Sequence, residues 1–141
     1  PSLSAEIIAD GLHVDPLLAG MFVRLKAPGA AVLVSDGISA TGCGDGQYTL
    51  GGITVTVCGS RCTAGGALAG SVLTLDQAVQ NVRAWTGHDW APAIRLASLN
   101  PAELLGWRHK GRLEVGAEAD VAVFSPKGEI LATYMAGRLE S

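Results

Sequence analysis

Ala5-Glu6-Ile7-Ile8-Ala9-Asp10-Gly11-Leu12-His13, followed by Ala31-Val32-Leu33-Val34-Ser35-Asp36-Gly37, shows two short apolar runs that each end in polar, potentially reactive side chains. Near-continuous apolar runs are the mark of parallel strands buried on both faces, and α/β enzymes hold their chemistry beyond the carboxyl ends of such strands. His13 and Asp36 are therefore the first candidates for an active site. Between the runs, Pro16 to Lys26 carries apolar residues at 17, 18, 21, 22 and 25, the rhythm of one helical face, with Pro16 at an early position. The expected unit is β-α-β, with strands over 5–9 and 30–35.

Further along, Gly42 to Gly46 reads as a Gly-rich loop, and Gln47–Leu50 and Ile53–Val57 as a hairpin turning at Gly51-Gly52. Thr74-Leu75-Asp76-Gln77 has the form of a capping box opening a helix that stops at Gly87. Asp89 is expected to cap a helix ending before Pro101. Asn100-Pro101-Ala102-Glu103 reads as a further start, with Asn100 as N-cap, closing at Gly106. Residues 119–124 and 129–136, joined by Ser125-Pro126-Lys127-Gly128, read as two antiparallel strands.

A chain of 141 residues with 48% hydrophobic content can pack a core, so disorder is not expected. Ten basic against 13 acidic residues give a net charge of −3, which leaves no general basic surface for nucleic acid. No apolar run approaches the roughly 18 residues needed to cross a bilayer, so no membrane partner is expected. Cys43, Cys58 and Cys62 are an odd number without secreted spacing, which favours free thiols and a cytoplasmic setting. Cys58 and Cys62 lack the further ligands that a metal site would need.

Each candidate has a plain alternative. Asp36 before Gly37 suits a turn or N-cap as well as a general base or metal ligand. His13 suits a structural hydrogen bond as well as catalysis, and Gly11 lets the backbone approach a ligand closely. Asp10 fits an Asx-turn better than a catalytic role. Gly65 to Ser71 reads as a flexible segment whose backbone donors can contact a sugar or phosphate. His88 and His109 are expected to be solvated, and Trp85, Trp90 and Trp107 to be core or interface anchors.

Taken in order, Ala9-Asp10-Gly11-Leu12-His13, Leu33-Val34-Ser35-Asp36-Gly37, Gly66-Ala67-Leu68-Ala69-Gly70-Ser71 and Ala97-Ser98-Leu99-Asn100-Pro101-Ala102 resemble the N-acetylglucosamine-6-phosphate deacetylases of the amidohydrolase superfamily. Lys110 to Val121 is a further match, and the set runs across nearly the whole chain. The last two segments are shared by many amidohydrolases; the first three point to the sugar deacetylases.

The resemblance implies an α/β fold: the C-terminal part of a (β/α)8 barrel over 1–108, holding its last two strands and helices with a β-hairpin insertion. Residues 109–141 would then add strands of a small β-sandwich. A barrel typically takes about 250 residues, so a portion of a longer enzyme is expected. By motif, Asp36 matches the catalytic acid/base, His13 a substrate-contacting histidine, and Asp10, Gly11 and Leu12 with Leu68, Ala69 and Gly70 the loops lining the sugar. The implied cofactor is a divalent metal, zinc or iron, with its main ligands upstream, a contact at most from Asp36, and none retained by this chain alone. The implied substrate is an amino sugar phosphate and the implied assembly a homodimer. The alternatives are another amidohydrolase acting on a different amide, or a catalytically silent structural module.

Overall fold

The computed structural model describes residues 3–26 and 28–140. Pro1 and Ser141, the outer limits of the two segments read from sequence, lie outside the described residues. The expected β-α-β unit is present: β1 (Ala5–Ile8), α1 (Pro16–Lys26) and β2 (Ala31–Val34), with the strands parallel and in register from Ala5↔Ala31 to Ile8↔Val34. Both strands end one residue earlier than the apolar runs, because the backbone turns where the polar residues begin.

The face by which α1 packs differs from expectation. Leu17, Leu18, Met21 and Leu25 are exposed, and the helix instead buries Ala19, Gly20 and Val23. The cause is close approach: a Cβ on Gly20 would lie 3.1 Å from the carbonyl oxygen of Trp85 on helix α2 (Leu75–Thr86), so small residues occupy the contact. Arg24 on α1 reaches across to donate to the Trp85 and Thr86 carbonyls, at 3.3 and 3.0 Å, satisfying acceptors that the end of α2 leaves open.

Helix α2 stops at Gly87 in the left-handed conformation, as its sequence requires. Its capping box does not form. Thr74 stands at the N-cap in extended conformation without a side-chain bond, and the Gln77 amide donates to Asn81 instead. Both helices expected after Asp89 are present: α3 (Trp90–Arg95), which ends well short of Pro101, and α4 (Leu99–Leu104), which starts two residues before Pro101. Asp89 is in the N-cap position of α3 but makes no side-chain cap bond.

Asn100 is not an N-cap: Ser98 holds that place, and Asn100 lies inside α4, 1% exposed. Its amide donates to the carbonyls of Pro28 and Ala31 at 2.9 and 2.7 Å, and its oxygen accepts from Arg95 Nε at 2.9 Å. Three hydrogen bonds made by a buried amide outweigh the capping preference, because each partner would lose its bond without it.

Between β2 and α2 the chain makes more sheet than its sequence suggests. The hairpin β3 (Gly46–Leu50) and β4 (Ile53–Cys58) turns at Gly51-Gly52 as expected, then continues into β5 (Arg61–Ala64) and β6 (Ala67–Leu68). Gly59-Ser60 and Gly65-Gly66 are thus hairpin turns, and the segment from Gly65 is only in part a loop. This four-stranded antiparallel meander has its own core of Ala40, Val55, Val57 and Cys62. Cys62 is buried, Cys43 and Cys58 are exposed, and all three are free thiols.

A third sheet, β7 (Val121–Phe124), β8 (Ile130–Met135) and β9 (Arg138–Glu140), closes the chain, its last strand unanticipated. It docks on α2 and α3 through a stack: Arg83 lies 3.6 Å from the Trp90 ring centre, and Trp90 stacks on Phe124 at 5.8 Å. Trp85 and Trp90 both pack against the main core, whereas Trp107 is 54% exposed. His88 is half-buried, against expectation, and with Val23, Pro28, Leu96 and Phe124 lines an open apolar groove of about 960 Å³. None of the candidate site residues lines that groove. Among the described residues, no helix is long and apolar enough to cross a membrane.

Candidate active site

The parallel register sets the site's frame. Ile8 and Val34 are the last paired residues, and Asp10 and Asp36 each stand two positions beyond, on the same carboxyl edge. The end of β1 is fixed from behind: Asn81 on α2 donates to the carbonyl of fully buried Ala9 at 2.8 Å, and is itself held by Gln77 at 2.9 Å. These two residues, four apart on one helical face, are polar groups that sequence reading did not assign to the site.

Asp10 forms the Asx-turn expected of it. Its Oδ1 accepts from the backbone N–H groups of Leu12 and His13 at 2.8 and 2.9 Å, and its Oδ2 pairs with His13 Nδ1 at 2.7 Å. The Asp10 side chain is 4% exposed and that of His13 23%. Burial pushes the Asp10 carboxyl up, but the two backbone N–H bonds and the imidazole together prevail and hold it below the ordinary carboxylate range. An ionised Asp10 only accepts, which suits a proton on His13 Nδ1. The polar partner of His13 is Asp10 rather than Asp36.

Asp36 stands differently. It is exposed, in the left-handed region at φ 49°, and its carboxylate makes no hydrogen bond among the described residues. Its backbone is nevertheless held. Ser71 N–H donates to the Asp36 carbonyl at 2.9 Å, Ile38 N–H donates to the Ser71 carbonyl at 3.1 Å, and Gly37 and Ser71 form a parallel bridge. Ser71, 2% exposed, also accepts at its carbonyl from Thr41 and at its Oγ from Leu73 N–H.

Gly70 lies directly against this turn. A Cβ there would stand 2.5 Å from Ile38 Cγ2, 3.4 Å from the Asp36 carbonyl and 3.9 Å from Asp36 Oδ2, at a backbone φ of +67°. Gly70 is thus brought to Asp36, while Leu68 pairs with Thr63 in the meander and Ala69 packs on the meander's core. Ser71 is the third residue to which sequence reading gives no role of its own at the site; it enters only as the end of the Gly66–Ser71 motif.

Among the described residues, no group of three or more His, Cys, Asp or Glu side chains could hold a metal. Of the two carboxylates at this edge, Asp36 is the one with oxygens free of other partners among the described residues, and one carboxylate does not complete a coordination shell. The residues present thus do not fit a metal by themselves. The edge does combine an unencumbered carboxylate able to carry a proton with an imidazole held in one orientation.

The amidohydrolase family model matches residues 8–139. The N-acetylglucosamine-6-phosphate deacetylase of Vibrio furnissii is 42% identical over 142 residues, covering 99% of this chain and 35% of that protein. Among solved structures, the same-named enzyme of Pasteurella multocida superposes with a TM-score of 0.93 at 27% identity, over 100% of this chain and 38% of that one. A mutant of the Mycobacterium smegmatis deacetylase, in complex with N-acetyl-D-glucosamine-6-phosphate, gives 0.90 at 31% identity, over 99% of this chain and 38% of that one. The chain spans about a third of the length of the curated relatives it matches.

Proposed function

The chain belongs to the amidohydrolase family, and from that premise we propose that it supplies the Asp36 and His13 part of an active site that deacetylates N-acetylglucosamine 6-phosphate. The products are acetate and glucosamine 6-phosphate. The observation that carries this reading is Asp36: an exposed carboxylate with free oxygens, at a parallel strand's carboxyl end, on a turn braced by Ser71 and Gly70. It takes a proton from the attacking water and returns it to the departing amine nitrogen, so that acetamide plus water becomes acetate plus amine. His13 hydrogen-bonds the substrate, and Asp10 to Leu12 with Leu68 to Gly70 line the sugar.

In this reading β1 and β2 are the last two strands of a (β/α)8 barrel, residues 1–108 are its catalytic segment with the meander inserted, and 109–141 belong to a β-sandwich. Two features support it. A parallel pair occurs almost only in larger sheets covered on both faces, yet β1 and β2 have no further strand beside them among the described residues. The apolar face of Leu17, Leu18, Met21 and Leu25 is likewise uncovered. A divalent cation, zinc or iron, belongs to the reading as a group held chiefly by residues outside this chain.

The test is to supply the protein that carries this chain with N-acetylglucosamine 6-phosphate and with other N-acylated amines, measuring acetate and free amine. Stoichiometric release from the sugar phosphate is expected. Turnover of a different amide with none of the sugar phosphate overturns the reading.

A further inference from the structure

Asp10 belongs to the loop read as lining the sugar, and its side chain is turned inward. Its side chain is 4% exposed, and both oxygens are engaged within the chain: Oδ1 by two backbone N–H groups, Oδ2 by His13 Nδ1. A carboxylate so enclosed has little left for a ligand. The second ring nitrogen of His13, Nε2, makes no hydrogen bond among the described residues, and the ring is part-exposed.

We propose that Asp10 is a positioning residue that acts through His13: it locks the imidazole in one orientation and one tautomer, Nδ1–H, leaving Nε2 for the substrate. This rests on the functional reading above for the identity of the substrate, though not for the lock itself. The chemistry is one-directional. An ionised carboxylate can only accept, so the ring nitrogen facing it must donate, and a neutral ring then presents Nε2 as an acceptor. The two backbone N–H bonds at Oδ1 prevent the carboxylate from rotating, and the Gln77–Asn81–Ala9 relay fixes the residue before it. Three elements, β1, the Asx-turn and α2, therefore converge on the direction of one ring.

Asp10→Asn separates positioning from folding. The amide keeps an oxygen for the Leu12 and His13 N–H groups but sets an NH2 donor against Nδ1, which must then be unprotonated, moving the ring proton to Nε2. Long-range 15N spectra of histidine-labelled protein are expected to show His13 as the Nδ1–H tautomer in the wild type and Nε2–H in the variant. In the deacetylation assay, Asp10→Asn is expected to lower kcat/KM about tenfold to a hundredfold, the scale seen when a supporting group behind a functional histidine is removed. The same change made in a His13→Ala background should have little further effect, since Asp10 acts through the ring.

A wild-type Nε2–H tautomer overturns the proposal, and so does a full additional loss from Asp10→Asn once His13 is gone. If Asp10→Asn does not fold, the wild-type spectrum still decides the lock. If the wild type releases no acetate, the functional reading fails while the spectra continue to decide this one.

Discussion

Asp10 and Asp36 occupy equivalent stations, two residues past the last pair of adjacent parallel strands, and have opposite surroundings. The Asp10 carboxylate is enclosed and bonded at both oxygens, whereas that of Asp36 is exposed and unbonded among the described residues. In Asp36 it is the backbone that is held, by Ser71, and the side chain that is left free. The same residue type at matched positions thus divides two tasks. One carboxylate builds the edge, and the other is available to react from it.

The largest effect should come from the free carboxylate. Asp36→Asn preserves size but cannot carry a proton, so turnover in the proposed deacetylation should fall by about two to four orders of magnitude, with the urea midpoint little changed. Steady-state kinetics beside a denaturation curve check both halves; near-wild-type turnover would erase the contrast with Asp10.

A smaller effect should follow from disturbing the bracing of Asp36 without touching its carboxyl. Gly70→Ala places a Cβ 2.5 Å from Ile38 Cγ2 at a positive φ, so it should lower stability by about 2 kcal/mol and reduce turnover together. Urea unfolding of the variant would show this, and an unchanged midpoint would mean that the Asp36 turn is not clamped from Gly70.

The smallest effect concerns acid. Because Asp10's carboxyl is held below its ordinary range, its contribution to stability is complete above the unfolded value of about 3.9 and fades as pH falls through the depressed folded value. Asp10→Asn should therefore lose less stability than the wild type between about pH 5 and pH 3, measured as the shift in urea midpoint. Equal losses would place Asp10's bonds outside the stability of the edge.

The β-α-β unit was legible in sequence because buried parallel strands leave continuous apolar runs, and Asp10's Asx-turn because its chemistry is local. What sequence could not supply were choices made by packing. Helix α1 carries more apolar residues on its Leu17–Leu25 face, yet it turns Ala19, Gly20 and Val23 inward because Gly20 must meet a carbonyl. Asn100 has the form of an N-cap but serves carbonyls distant in sequence. The strands β5 and β6 are short and bounded by glycines, so their composition resembles a loop until β4 is beside them. His13 and Asp36 were nominated by position, but the partner of His13 and the brace on Asp36 are tertiary facts.

The left-handed backbone at Asp36 restricts the residues that can stand there. With φ at 49°, the position favours Gly, Asn, Asp and His over the other residues. Of these, only aspartate carries a carboxylate. Backbone shape and the demand for a carboxylate are separate filters on the alphabet, and aspartate is the residue that passes both; glutamate, with the same functional group, fits the first less well.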